Sequence, residues 1–217
     1  MSSVPEFAVL ETAEDVAESA AAEIAEALDE GARTLTLAGG TTPMRCYELL
    51  AQADVRWGRV TVLFGDERCV LPDHPDSNYR AARVALLDRV SPASVHRMPA
   101  ELGPDEGAEL YSRIVASLAP LDIVVLGVGE DGHTASLFPG HPGVQAEGWA
   151  VGVRNSPKPP PDRVSLTMPV LRAARKVLVL ATGAGKAGAV AAARRGEVPS
   201  GMIASARWLI DRAAAGK

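Results

Sequence analysis

Residues 121–140 have the sequence LDIVVLGVGEDGHTASLFPG, and this segment is the strongest indication of the fold class. Its first part holds four consecutive apolar residues, Ile123–Leu126, which predict a strand that is buried on both faces. Strands of this kind are typical of parallel sheets covered by helices. The second part leaves the strand through two glycines and then places Asp131 and His133 with one residue between them. A turn can use glycine or aspartate but has no need of the histidine, so the stretch also indicates a functional site.

Strands and helices alternate along the rest of the chain. The predicted strands cover residues 33–38, 60–65, 123–126, 164–167 and 177–181, and the predicted helices cover residues 12–30, 44–52, 77–88, 105–118, 185–195 and 205–215. This alternation predicts an α/β fold with a doubly wound, mostly parallel sheet and helices on both faces, in a single domain over residues 1–217. The sequence SPKPPPDR at residues 156–163 predicts an extended loop.

Four unusual loops follow predicted strands. They are AGGTTP (38–43), GDERC (65–69), GVGEDGH (127–133) and ATGAGK (181–186). In a parallel sheet the carboxyl ends of the strands lie at one edge, and ligands bind there. We therefore expect loops that are distant in sequence to build one site.

The composition limits the classes of partner. The chain has 217 residues, of which 47% are hydrophobic and 23% charged, as is ordinary for a globular protein in water. The net charge of −5 argues against nucleic acid or an anionic membrane as partner. Cys46 and Cys69 fit reduced thiols better than a disulfide framework. Neither a signal peptide nor an apolar run of bilayer length is recognised, so we expect a cytoplasmic protein.

The loop AGGTTP fits a phosphate. Gly39 and Gly40 allow the backbone to approach a ligand closely, and Thr41 and Thr42 add hydroxyl groups. The N-terminus of the following helix points to the same place and favours an anion. The alternative is a plain strand-to-helix turn, in which Thr42 caps the helix and Pro43 lies in its first turn.

Two further loops offer positive charge. Arg68 can hold a phosphate through two hydrogen bonds, and Asp66 can orient a sugar hydroxyl or the arginine. Lys186 can add a second cation. The alternatives are a solvated charged loop at residues 66–68 and a solvated lysine.

Gly129, Asp131 and His133 form the candidate catalytic group. An imidazole has an ordinary pKa of about 6.5, so His133 can act as a base near neutral pH. Asp131 can hold the imidazole, and the amides of Gly127 and Gly129 can face a developing oxyanion. The alternative is a loop histidine with a structural role. The chain has no GxSxG sequence and no zinc-binding spacing of His and Cys, so neither a serine hydrolase nor a metal site is predicted.

Four segments in this order resemble the 6-phosphogluconolactonase family: AGGTTP, LFGDERCVLPDHPDSNYR, LGVGEDGHTASLFPG and SPKPPPDRVSLTMPVL. The resemblance runs from about Thr12 to Ala215. It implies the Rossmann-like fold that this family shares with glucosamine-6-phosphate deaminases. It also implies hydrolysis of 6-phospho-D-glucono-1,5-lactone to 6-phosphogluconate in the oxidative pentose phosphate pathway, without cofactor or metal. We expect a monomer or a weak dimer.

The resemblance also implies residue roles. His133 matches the general base of the family, and Asp131 matches the residue that positions it. The predicted substrate-binding residues are Gly39, Gly40, Thr41, Thr42, Asp66, Arg68, Gly129 and Lys186. The chain departs from the usual SGGST loop, because Ala38 and Thr41 stand where the family often has serine. The tail from Pro199 also looks shorter than usual.

Two alternatives remain open from the sequence. A sugar-phosphate isomerase or deaminase on the same fold would use Asp66 as the proton-abstracting base and His133 for ring opening. Such deaminases typically have a glutamate shortly after this histidine, in an AFNEPG-like stretch, whereas this chain has ASLFPG. A non-catalytic sugar-phosphate sensor would keep the phosphate-binding residues but would not need His133.

Overall fold

The computed structural model describes residues 5–217, which form ten strands and six α-helices. The strands are β1 (Glu6–Leu10), β2 (Thr34–Leu37), β3 (Thr61–Phe64), β4 (Asp66–Arg68), β5 (Ser94–Val95), β6 (Ile123–Gly127), β7 (Ala150–Val153), β8 (Arg163–Leu166), β9 (Lys176–Ala181) and β10 (Arg207–Asp211). The α-helices are α1 (Ala13–Asp29), α2 (Thr41–Leu50), α3 (Asn78–Ala82), α4 (Pro104–Leu118), α5 (Met168–Ala173) and α6 (Ala187–Arg194). Within residues 5–217, none of the helices is both long and apolar enough to cross a membrane.

Seven strands form a parallel sheet in the order β1-β10-β9-β6-β2-β3-β5. From β2 the chain adds β3 and β5 on one side, and from β6 it adds β9 and β10 on the other, while β1 lies at the edge beyond β10. This order confirms the doubly wound, mostly parallel sheet. All four residues of β2 are buried, so both faces of the sheet are covered here. The remaining strands form a small antiparallel sheet in the order β4-β8-β7.

β6 occupies the centre of the large sheet. It pairs with β2 on one side and with β9 on the other. The side chains of Ile123–Leu126 have no exposed surface. A strand with two neighbours and two covered faces favours apolar residues, and this segment has them at every position from Ile123 to Leu126.

The segment at residues 205–215 forms a strand where the sequence predicts a helix. β10 lies between β1 and β9 and pairs in parallel with both. Trp208, Leu209 and Ile210 are consecutive and fully buried. The spacing of the apolar residues in this segment is compatible with a helix as well as with a strand. The strand forms because β1 and β9 offer hydrogen-bonding partners on both sides.

Other elements also differ from the sequence pattern. The pattern does not predict β1, β5, β7 or α5, and the expected loop at residues 66–68 is β4, which pairs with β8. The helix expected at residues 77–88 is α3 followed by a π-helical turn, Arg83–Leu87. The helix expected at residues 185–195 begins at Ala187, after a 3-10 turn at Ala184–Lys186.

Candidate active site

A cavity of about 310 Å³ lies beyond the carboxyl ends of the central strands. Residues from all four unusual loops line it. The volume is at the lower end of the range for small-molecule sites and suits a single sugar phosphate. Of the predicted catalytic and binding residues, all line the cavity except Asp131, which contacts His133.

The backbone of Gly39 and Gly40 forms part of the wall of this cavity. Gly40 has a φ of 108°, a conformation that favours glycine, and α2 begins directly after it. A side chain at Gly39 has no room, because its Cβ would lie 2.0 Å from Oδ1 of Asn78. Gly40 holds the N-cap position, so the expectation that Thr42 caps the helix is wrong. Thr42 lies inside α2, where its Oγ1 is 2.7 Å from Oγ1 of Thr182.

Asp66 and Glu67 are buried, with 6% and 4% of their surface exposed. Oδ2 of Asp66 accepts a 2.6 Å hydrogen bond from Oγ of Ser136, and Oδ1 accepts a 3.1 Å hydrogen bond from Nδ2 of Asn78. Nη1 of the buried Arg163 lies 4.0 Å from Oδ2. These contacts fix the Asp66 carboxylate at the cavity wall and rule out the solvated charged loop.

Glu67 organises the segment that packs behind this wall. Its carboxylate accepts four hydrogen bonds of 2.8–2.9 Å, which come from Oγ of Ser77 and from the backbone amides of Arg68, Asn78 and Tyr79. Burial raises the pKa of this carboxyl, and the four bonds offset part of that effect. Glu67 therefore holds two cavity residues in place, a role that the sequence pattern does not indicate.

Arg68 presents an unused donor. Its Nη1 donates to the carbonyl oxygen of Asp76 at 2.6 Å, which fixes the guanidinium. Its Nε is buried and has no hydrogen-bond partner among residues 5–217. A buried donor without a partner costs free energy. Arg68 also lines the cavity, where its guanidinium can bind an anion.

His133 and Asp131 form a close pair. Nδ1 of His133 lies 2.5 Å from Oδ1 of Asp131, and the imidazole packs against Phe138 with 4.5 Å between ring centres. Burial lowers the pKa of His133, and the hydrogen bond and charge of Asp131 oppose part of that shift. The lowered pKa favours the neutral form of the imidazole near neutral pH. With Nδ1 bonded to the carboxylate, Nε2 is left as the proton acceptor.

Gly129 makes room for this pair. A Cβ at this position would lie 2.1 Å from Nδ1 of His133 and 2.5 Å from Oδ1 of Asp131. Its amide donates to the carbonyl oxygen of His133 at 2.9 Å. Because the amide is engaged within the loop, the expectation that it faces an oxyanion does not hold.

The sequence reasoning misses three cavity residues with charged or amide side chains, which are Asn78, Lys158 and Arg163. Lys158 and Arg163 lie in the proline-rich segment at residues 156–163, which the sequence predicts only as a loop. The sequence does contain a signal for Lys158 and Arg163, because both lie beside prolines, which restrict the backbone and so can hold charged side chains in place. Arg163 also lies over the ring of Phe138, 5.5 Å from its centre.

The cavity is rich in positive charge although the chain is acidic. Four cations line it: Arg68, Lys158, Arg163 and Lys186. Such a local cluster attracts an anionic ligand. In the part of the chain that the structure describes, no group of three or more His, Cys, Asp or Glu side chains is arranged to hold a metal ion.

Comparisons with known proteins identify the family of the chain. A family model described as glucosamine-6-phosphate isomerases/6-phosphogluconolactonase matches residues 9–210. The chain belongs to this family. The 6-phosphogluconolactonase of Streptomyces coelicolor is 39% identical, with 99% of this chain and 95% of that protein covered. The 6-phosphogluconolactonase of Mycobacterium leprae is also 39% identical, with 84% of each chain covered.

Solved structures in the glucosamine-6-phosphate isomerase/6-phosphogluconolactonase family have the same fold. The 6-phosphogluconolactonase from Trypanosoma brucei has a TM-score of 0.89 at 27% identity, with 99% of each chain covered. A monomeric glucosamine-6-phosphate deaminase has a TM-score of 0.86 at 22% identity, with 97% of this chain and 99% of that chain covered. The second likeness confirms that the fold is shared with deaminases.

The segment after His133 separates this member of the family from the deaminase pattern. Residues 134–139 are TASLFP and include no carboxylate. Two of their side chains support the site instead, since Ser136 donates to Asp66 and Phe138 packs against the imidazole.

Proposed function

We propose that this chain is a 6-phosphogluconolactonase, which hydrolyses 6-phospho-D-glucono-1,5-lactone to 6-phosphogluconate with His133 as the general base. One observation carries the proposal: the 2.5 Å contact of His133 with Asp131 occurs at a cavity that also holds a glycine-rich loop and a cluster of cations. The names of the relatives support the choice of substrate. The proposal includes one domain over residues 1–217, acting in the cytoplasm as a monomer or weak dimer in the oxidative pentose phosphate pathway.

The phosphate binds between the glycine-rich loop and two cations. Gly39 and Gly40 have no side chains, so the phosphate can approach their backbone closely. The first turn of α2 adds unpaired backbone amides and a partial positive charge, which favour the anion. Arg68 supplies its guanidinium, and Lys186 adds an ammonium group from the 3-10 turn before α6. Asp66 faces the cavity with its carboxylate held by its neighbours and accepts a hydrogen bond from a sugar hydroxyl.

The hydrolysis begins with a water molecule at Nε2 of His133. The neutral imidazole takes a proton from the water, whose oxygen attacks the lactone carbonyl carbon, and Asp131 stabilises the imidazolium that forms. The tetrahedral intermediate collapses, the bond to the ring oxygen breaks, and that oxygen receives the proton from His133. A positioned base of this kind contributes about 10²–10⁴ in rate.

The isomerase or deaminase activity is the second candidate, and two observations argue against it. Its base would be Asp66, but both carboxylate oxygens of Asp66 already accept hydrogen bonds. The carboxylate expected after His133 is absent from residues 134–139. A sugar-phosphate sensor is disfavoured because the His133–Asp131 pair serves no purpose in binding alone.

The test follows the decay of freshly generated 6-phosphogluconolactone with the spontaneous rate subtracted. The wild-type chain is compared with His133→Ala and with His96→Ala, a control histidine outside the cavity. We expect His133→Ala to lose about 10²–10⁴ in kcat while it still binds 6-phosphogluconate. Equal acceleration by both variants would remove His133 from the mechanism. If the wild type does not accelerate the decay but converts glucosamine-6-phosphate, the isomerase candidate replaces the lactonase.

A further inference from the structure

Lys158 brings a positive charge to the catalytic pair. It lines the cavity and is half-buried. Its charge reaches both members of the pair, since it lowers the pKa of Asp131 and the pKa of His133. Among residues 5–217 it forms no salt bridge. An ammonium group without a partner therefore lies near the residue that activates the water.

The backbone that carries Lys158 is fixed on several sides. Oγ of Ser156 donates to the carbonyl oxygen of Lys158 at 2.5 Å. The buried Arg163 donates from Nη2 to the carbonyl oxygens of Lys158 and Pro159 at 3.2 and 3.0 Å, and from Nε to that of Pro160 at 3.1 Å. The prolines restrict the remaining rotation of the chain. These bonds hold the backbone carbonyls of residues 158–160, whereas the ammonium group of Lys158 has no hydrogen bond among residues 5–217.

The proposed reaction lacks a charged oxyanion donor among the residues assigned so far. The attacking water must be about 3–3.5 Å from the carbonyl carbon, so the carbonyl oxygen lies among the groups around His133. The amide of Gly129 is engaged by the carbonyl oxygen of His133. Of the four cations that line the cavity, Arg68 and Lys186 are assigned to the phosphate, and the guanidinium of Arg163 donates to the backbone carbonyl oxygens of residues 158–160. Lys158 is left as the cation near the reacting carbon.

We propose that Lys158 is a further catalytic residue, whose ammonium group stabilises the negative charge on the lactone carbonyl oxygen. This inference rests on the proposed function. As the new C–O bond forms, the π electrons of the carbonyl move to its oxygen beside Lys158, and the water proton passes to Nε2 of His133. When the C=O bond re-forms, the ring C–O bond breaks and the ring oxygen takes the proton from His133. Lys158 keeps its protons throughout.

Three variants of the full chain test this role: Lys158→Met, Lys158→Arg and the control Lys217→Met. Lys217 is exposed and outside the cavity. We expect Lys158→Met to lower kcat by about 10²-fold, the size of effect seen when one oxyanion donor is removed. Lys158→Arg keeps the charge and should recover part of the loss. The Tm should not change appreciably, because the side chain is not in the core. The Kd for 6-phosphogluconate should rise, because the C1 carboxylate of this product takes the place of the carbonyl oxygen beside Lys158.

Two measurements separate a role at the carbonyl from one at the phosphate or in folding. The loss in Lys158→Met should persist on glucono-1,5-lactone, which has no phosphate. The acid limb of the pH profile of kcat/KM should move to higher pH, because removal of a positive charge raises the pKa of His133.

An unchanged kcat in Lys158→Met, or a loss confined to the phosphorylated lactone, would overturn the inference while the proposed function stands. A wild-type chain that hydrolyses neither lactone would refute the proposed function and the inference with it.

Discussion

Asp131→Asn is the substitution that isolates how much the carboxylate contributes to His133. The asparagine has the same shape and can still accept a hydrogen bond from Nδ1, but it carries no charge. The imidazolium formed in the reaction then loses the carboxylate that lies 2.5 Å away. We expect slower hydrolysis with the substrate-binding residues left intact.

The magnitude follows from the burial of the pair. A hydrogen bond to a charged group contributes about 1.5–3 kcal/mol. The side chain of Asp131 is 33% exposed and that of His133 is 17% exposed, so solvent screens part of the interaction. The lower part of the range, about 1.5–2 kcal/mol, corresponds to about a 10- to 30-fold loss in kcat/KM.

The pH dependence gives the sign of the effect. The charge of Asp131 raises the pKa of His133 against the effect of burial, so its removal lowers that pKa further. Since His133 acts in its neutral form, the acid limb of the kcat/KM profile should move to lower pH while the plateau falls. The assay is lactone decay between mildly acidic and neutral pH.

The matched control for this prediction is Asp29→Asn, at an exposed carboxylate that pairs with Arg56 at the surface. An unchanged plateau in Asp131→Asn would refute the reasoning. A shift of the acid limb to higher pH would do so as well, because it would mean that Asp131 does not act on His133 through its charge.

Two further predictions concern residues that position the side chains of the candidate site. Gly129→Ala should lower kcat by about 10²-fold, because the new Cβ would collide with the imidazole of His133. Gly127→Ala is the control and should be tolerated, because the nearest atom to its Cβ is 3.5 Å away. Lactone decay and circular dichroism of both variants check this contrast. Ser136→Ala should lower the free energy of unfolding by about 1.5–3 kcal/mol because it removes the buried hydrogen bond to Asp66, and an unchanged urea midpoint would contradict it.

The sequence predicts most of the large sheet because its central strands carry their own signal. Ile123–Leu126 is apolar at every position, and the glycine-rich loops follow the strands whose carboxyl ends meet at the cavity. The strand at residues 207–211 is missed for a physical reason. Its apolar pattern fits two periods, and the choice depends on β1 and β9, which are distant in the sequence.

The candidate site is predicted in part for the same reason. His133, Asp131 and the glycine loop stand out locally, whereas Asn78 and Arg163 gain their roles from contacts with the Asp66 region. The burial of Asp66 also depends on Ser136, which is 70 residues away in the chain. Contacts of this kind have no local pattern, so a short charged segment gives no sign that it will be buried.

The place of β1 in the sheet has a consequence for synthesis on the ribosome. β1 lies at the edge of the sheet and pairs with β10, whose residues lie 201 positions later in the chain. A nascent chain must be translated through Asp211 before β1 has a neighbour, and until then both β1 and β9 present an open edge. Open edges promote aggregation. A fragment that ends before Arg207 therefore leaves two strands without their partner, and this chain should depend on chaperones late in translation.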